Sequence, residues 1–183
     1  MNPRAIAAGG VVVVSASLTA FIVHREGDVL VPYRDVGGVM TVCAGVTGPQ
    51  VVPGKKYTRA ECAGLNGKAI EQHGWEILMC MKGAQWTQAR YEAMASLAYN
   101  VGSTRVCSSG LPKYHALGDL VRSNRWPEAC NRILEYAKVR INGELQSCAD
   151  PRWNCRGVWL RRQAERDICA GDTPAIPSLG VFG

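Results

Sequence analysis

The chain has 183 residues, a formal net charge of +6 and a sequence pI of about 9.0. That length fits one compact domain with an appendage and is enough to bury a core. The charge favours polyanionic surroundings, but the sequence has no run of five or six adjacent Lys or Arg and no nucleic-acid-binding motif, so no nucleic-acid partner is expected and the basic surface reads as solvated.

The first predicted element is apolar. Ala5 to Val23, "AIAAGGVVVVSASLTAFIV", runs nineteen residues without a charge. As one helix it would measure about 28 Å, close to the hydrocarbon thickness of a bilayer. Ten of the nineteen are Ala, Gly, Ser or Thr, so insertion is marginal beside a Leu-rich span. Arg4 precedes the run, which leaves the N-terminus in the cytoplasm and the body outside. A cleaved signal peptide is the competing reading, although the best small-residue site, Ser15-Ala16-Ser17, still has Leu18, Phe21, Ile22 and Val23 beyond it. A buried core helix is a third option, disfavoured by the lack of a polar face. The expected organisation is an anchor at 1–23, a folded body at 24–171 and a flexible tail at 172–183, "DTPAIPSLGVFG", with two prolines and no periodicity.

The body opens with "GDVLVPYRDVGGVMTVCAGVTG", rich in Val, Tyr and Thr and broken by Pro32, Gly37-Gly38 and Gly48. It predicts two or three short strands with tight turns. Thr58 and Glu61 then form a capping box before a helix at "TRAECAGLNGKAIEQHGWEIL". Thr87 caps a second helix that Gly102 stops, and "KYHALGDLVRS" is a shorter one. "RWPEACNRILEYAKV" carries Pro127 in its first turn and reads as helix throughout. "VWLRRQAERDICAG" closes the body with Gly171 after its last turn. The fold class is α+β: a small sheet lobe, then a mostly helical lobe, preceded by the N-terminal hydrophobic helix.

Eight cysteines, Cys43, Cys62, Cys80, Cys107, Cys130, Cys148, Cys155 and Cys169, are spread through the chain and none precedes residue 43. An even, dispersed set suits disulfides in an oxidising compartment, in agreement with a body outside the membrane. Zinc sites favour tight pairs or nearby His, and His24, His73 and His115 are scattered, so no metal and no cofactor is expected.

Two carboxyl groups lie close to the anchor. Glu26 follows the apolar run, Asp35 sits in the turn "YRDVGG", and Thr41 stands on the next strand. Glycoside hydrolysis uses one carboxylic acid, kept protonated by apolar burial, to protonate the leaving oxygen, and a second, ionised carboxylate on the other side. Backbone donors in a turn favour the ionised form of Asp35, and the Thr41 hydroxyl can hold a water against it. The plainer reading is that Glu26 ends the anchor helix and Asp35 makes a turn.

Glu26-Gly27, Tyr33, Asp35, Gly38, Val39, Thr41, Gly45 and Thr47 together resemble the signature of the phage-type lysozymes, glycoside hydrolase family 24. "WTQARYEAMASLAYNVGS", ending in Asn100 and Gly102, resembles that family's central helix. Gly157, Arg161, Arg162 and Glu165 resemble its C-terminal helix motif. The resemblance implies a two-lobed lysozyme fold that hydrolyses the β-1,4 bond between N-acetylmuramic acid and N-acetylglucosamine with inversion. It implies Glu26 as general acid and Asp35 with Thr41 as the water-placing pair. Inversion goes with a carboxyl separation of about 6.5–9.5 Å. One departure is Val46, where the family often has His, and it puts the hydrogen bonding of that turn in doubt. Partly on this resemblance, the expected disulfides are Cys130–Cys169 and Cys80–Cys107; Cys43–Cys62 and Cys148–Cys155 are chosen by proximity alone, eight cysteines allowing about 105 connectivities.

A weak anchor ahead of such a body resembles the signal-anchor-release endolysins. That implies export by the host secretion machinery, tethering to the outer face of the host inner membrane through residues 5–23, and later release as a soluble periplasmic enzyme, expected to be a monomer that degrades peptidoglycan. The anchor has no cysteine, so control by tethering and refolding is expected rather than thiol exchange. The rivals are a lytic transglycosylase on the same polymer, which needs no Asp–Thr water site, and a membrane-tethered cell-wall-binding module, which needs no such carboxylates.

Overall fold

In the computed structural model, residues 5–7, 10–27, 29–35, 38–107, 109 and 117–171 are described. The expected tail at 172–183 lies outside them. The N-terminal run is not one nineteen-residue helix. Strands β1 (Ala5–Ala7) and β2 (Gly10–Val12) form an antiparallel hairpin, and helix α1 covers Ala16–Glu26. β-branched Val11–Val14 favour extended backbone, and Ser15 then starts the helix, its Oγ accepting from Leu18 N–H at 3.0 Å. Among the described residues no helix is long and apolar enough to cross a membrane. Helix α1 runs through the expected 23/24 boundary, and Leu18 and Ile22 are fully buried in the main core.

A three-stranded antiparallel sheet follows, β3 (Val29–Arg34), β4 (Met40–Cys43) and β5 (Val46–Thr47), in the order β3-β4-β5. Tyr33 pairs with Thr41, and Thr41 with Thr47. Its own small core is Val42, Val46, Val51, Tyr57 and the Cys43–Cys62 disulfide. The helical lobe comprises α2 (Arg59–Cys80), α3 (Gln88–Val101), α4 (Ser103–Cys107), α5 (Leu117–Arg122), α6 (Trp126–Arg132) and α7 (Arg156–Ala170). The Thr58–Glu61 capping box is formed, Thr87 caps α3, and Gly171 ends α7 in the left-handed region. The sheet is docked on α2 by the Cys43–Cys62 disulfide, and Ala44 ties it to both long helices: Asn66 on α2 accepts from Ala44 N–H at 3.1 Å, and Tyr99 on α3 donates to Ala44 O at 2.8 Å.

The helix expected through Val139 stops early. Helix α6 ends at Arg132, a 3-10 turn covers Ile133–Tyr136, and β6 (Lys138–Ile141) and β7 (Glu144–Ser147) form a hairpin. Its turn is Asn142-Gly143, both at positive φ, the pairing that tight hairpins require. Four disulfides are present: Cys43–Cys62, Cys80–Cys107, Cys130–Cys169 and Cys148–Cys155. These are the pairs named from the sequence.

The α2–α3 crossing depends on Gly74. A Cβ there would overlap the Tyr91 hydroxyl and lie 2.9 Å from Tyr91 Cζ. Tyr91 is itself buried, edge-on to Trp86 at 6.5 Å, and has little room to move. Gly74→Ala is therefore expected to lower the thermal midpoint: overpacking costs about 1–3 kcal/mol, more than the gain of up to about 1 kcal/mol in helix propensity.

Candidate active site

Glu26 is the last residue of α1, and the chain must turn at once to enter β3. Gly27 allows this, with φ +78 and its N–H on Val23 O at 3.0 Å. The Glu26 side chain is 25% exposed. Its Oε1 accepts from Asn100 Nδ2 at 3.1 Å and forms an ion pair with Arg161 Nη1. Among the described residues no hydrogen bond falls on Oε2. A cavity of about 350 Å³ is lined by His24, Arg25, Glu26, Asn100, Gly157, Val158 and Arg161.

This setting corrects the expectation of an apolar surround for Glu26. Its neighbours are a guanidinium and an amide. Behind them lies a buried charge network that the sequence motif did not reveal as such. Glu165 is fully buried on α7 and takes Arg161 Nε at 3.1 Å and Arg162 Nη2 at 3.1 Å, both on Oε1. Arg162 Nε lies 2.9 Å from Glu165 Oε2, and Ser96 Oγ donates to Glu165 Oε1 at 2.6 Å. Arg162 Nη2 also donates to Asn100 Oδ1 at 3.2 Å. Burial lowers the Arg162 guanidinium below its ordinary range, opposed by the Glu165 carboxylate. Tyr99 lies close enough to Glu26 to feel its charge: burial, then that carboxylate, push its hydroxyl up, so it stays a neutral donor to Ala44. The signal for the network was in the spacing. Arg161, Arg162 and Glu165 fall on one side of a helix at i+3 and i+4, and buried charges must be paired.

Asp35 and Thr41 both bond to Val39 at the β3–β4 turn. Asp35 Oδ1 accepts from Val39 N–H at 2.9 Å, and Asp35 N–H donates to Val39 O at 3.0 Å. Thr41 Oγ1 donates to the same Val39 O at 3.1 Å. Gly38, at φ +78, gives the turn its left-handed residue, and its carbonyl takes Arg34 Nη1 at 2.8 Å. Both side chains are thus fixed through one residue's backbone. Thr41 is only 3% exposed. Neither Asp35 nor Thr41 lines the cavity beside Glu26. Val46 is 2% exposed and packs in the small core. The hydrogen bonds of its turn are instead carried by Asn66 and Tyr99 on Ala44. Among the described residues no cluster of His, Cys, Asp and Glu is placed to hold a metal ion.

The family model described as phage lysozyme matches residues 23–165. The chain belongs to the phage lysozyme family. This lysozyme is 32% identical over 144 residues to the SAR-endolysin of Bacteriophage PS119, covering 79% of this chain and 75% of that protein. It is also 32% identical over 162 residues to the SAR-endolysin of Escherichia phage Mu, covering 86% and 91%. Two solved structures share its fold. The muramidase domain of SpmX from Asticaccaulis excentricus has a TM-score of 0.71 at 17% identity, covering 89% of this chain and 99% of that one. The active form of the P1 phage endolysin Lyz has a TM-score of 0.68 at 23% identity, covering 86% and 85%. The protein is a hydrolase of the lysozyme class, acting on peptidoglycan in host-cell lysis.

Proposed function

We propose that this lysozyme cleaves the β-1,4 bond between N-acetylmuramic acid and N-acetylglucosamine with inversion, with Glu26 as general acid and Asp35 and Thr41 placing the water. The observation that carries the role of Glu26 is the asymmetry of its carboxyl group. Both donors from the described residues fall on Oε1. A carboxylic acid carries its proton on one oxygen, and Oε2 is the oxygen left for it on a side chain that lines a cavity. As the leaving oxygen takes that proton, negative charge returns to a carboxylate already held by Arg161 and Asn100, so no reorganisation is needed at the moment of transfer. Asp35 and Thr41 each spend a hydrogen bond on Val39, which fixes their separation across the hairpin. A water accepted by this pair is activated by the carboxylate and oriented by the hydroxyl.

The products test this reading. Inverting hydrolysis releases a reducing muramic end that is first observed as the α-anomer, whereas a transglycosylase releases an anhydro-muramic end with no added water. Asp35→Asn is expected to lower turnover by about 10²-fold or more with little change in the thermal midpoint, because its amide oxygen can still accept from Val39 N–H. An anhydro product, or an Asp35→Asn enzyme of ordinary rate, contradicts the scheme.

The regulatory reading is that residues 5–23 first tether the enzyme to the outer face of the host inner membrane after export by the secretion machinery, and that the released monomer works in the periplasm. It is supported by the uncharged nineteen-residue run and by its relatives being SAR-endolysins. At most about 11 Å of chain separates Val23 from Glu26, so an inserted anchor holds Glu26 at the headgroups. With no cysteine before Cys43, release does not require thiol exchange. Activation of the released protein only after adding a reductant contradicts this part.

A further inference from the structure

We propose that Arg162 is a positioning residue for Glu26 that acts through Asn100; the proposal rests on the reading of Glu26 as general acid. An asparagine side chain has nearly the same shape with its oxygen and nitrogen exchanged, so something must select which end faces a neighbour. Here the selector is Arg162. A guanidinium can only donate, and Arg162 Nη2 is 3.2 Å from Asn100 Oδ1. That contact commits Oδ1 to the α7 side and leaves Nδ2 to donate to Glu26 Oε1 at 3.1 Å. The exchanged orientation would set an amide N–H against a guanidinium and an amide oxygen against a carboxylate, and both contacts are repulsive.

Arg162 suits this task because it cannot turn. It is fully buried and ion-paired to Glu165: Nη2 donates to Oε1 at 3.1 Å, and Nε lies 2.9 Å from Oε2. Glu165 is fixed in turn by Ser96 Oγ at 2.6 Å and Arg161 Nε at 3.1 Å. One buried carboxylate therefore holds both arginines. Arg161 reaches Glu26 directly, and Arg162 reaches it through the amide. The two routes meet on the same oxygen, Oε1, and keep the proton to be donated on Oε2. Without Arg162 the amide can invert. Its oxygen then faces Glu26, and the second pre-set donor for the forming carboxylate is lost.

Arg162 and Glu165 also fasten α7 to α3, so loss of stability alone does not distinguish positioning from packing. A double-mutant cycle on kcat does. The full chain carries Arg162→Lys, Asn100→Ala or both, and initial rates are measured on purified soluble peptidoglycan strands below each variant's thermal midpoint. Lysine keeps the charge but not the fork that reaches Oδ1. Positioning predicts that Arg162→Lys lowers kcat about 10-fold with KM nearly unchanged, and that the same change in the Asn100→Ala background lowers it less than about 2-fold. Equal loss in both backgrounds overturns the proposal. A second measurement needs no change at Arg162. In 15N-labelled native protein, with the Asn100 signal assigned by its absence in Asn100→Ala, the Nδ2 protons should show nuclear Overhauser contacts to the Glu26 Hγ protons. Their absence also overturns it. Glu26→Gln serves as the parallel control: if it keeps ordinary activity, the failure lies in the general-acid reading and not in the positioning.

Discussion

Glu26→Gln is expected to reduce clearance of killed Gram-negative cells by about 10³-fold, within the range by which a general acid accelerates such chemistry. The substitution isolates the proton. A glutamine amide oxygen in the place of Oε1 still accepts from Asn100 Nδ2 and Arg161 Nη1, and its NH₂ takes the place of Oε2. Arg161 keeps its contact with Glu165 at 3.1 Å, so it is not left as an uncompensated buried charge. The cost to the fold is a weakened ion pair at a partly exposed side chain, about 1 kcal/mol or less after solvent screening. That corresponds to a few degrees at most in a domain of this size. An inactive protein of nearly native thermal midpoint is the expected outcome. Near-normal clearance would remove Glu26 from the chemistry.

The parts of this molecule that read well from sequence have local causes. Thr58 with Glu61, Thr87 with Gly102, and Gly171 mark helix ends because caps are set by residues within one turn. The turn at Asp35 is legible for the same reason: its side chain and backbone both serve Val39, four residues on. The β6–β7 hairpin is marked by Asn142-Gly143, but the helical spacing of "ACNRILEYAKV" continues past the point where the 3-10 turn ends the helix and hides the strand that follows. The surroundings of Glu26 were not legible in detail. They are assembled from α1, α3 and α7, with partners 74 and 135 residues away in sequence. A carboxyl group's neighbours at that range follow from helix packing and leave no short-range pattern. The N-terminal run shows the same limit in another form. Its composition allows a membrane helix, and whether it forms one depends on the competing core that Leu18 and Ile22 enter.

Removing residues 1–23 is expected to inactivate the enzyme rather than liberate it. The deletion takes away most of α1, and with it Leu18 and Ile22, both fully buried. Each such side chain is worth about 2–5 kcal/mol when truncated to Ala. Together they approach a large share of the roughly 5–15 kcal/mol that stabilises a typical domain. The segment also contributes Phe21 and Val14 packing on the core and a two-way clamp in which Gln88 accepts from Val13 N–H at 3.2 Å and donates to Val13 O at 2.7 Å. Glu26 would then begin the chain's ordered part with no helix to orient it toward Asn100 and Arg161. The truncated protein should melt at least about 10 °C lower than the full chain and retain on the order of 1% of its activity. Ile22→Ala in the full chain is the milder form: a cost of about 2–5 kcal/mol, or about 5–15 °C, with clearance largely kept below the melting range because Glu26 still ends a helix. Full activity from the truncated body would make the segment a tether and nothing more. The opposite result joins the two roles physically. Under the proposed tethering, nineteen uncharged residues held in a bilayer would be absent from the core, so the tethered enzyme would lack the same Leu18 and Ile22 contacts as the truncated one. Release is then a folding step, and the proposed control of activity follows from where Leu18 and Ile22 are buried.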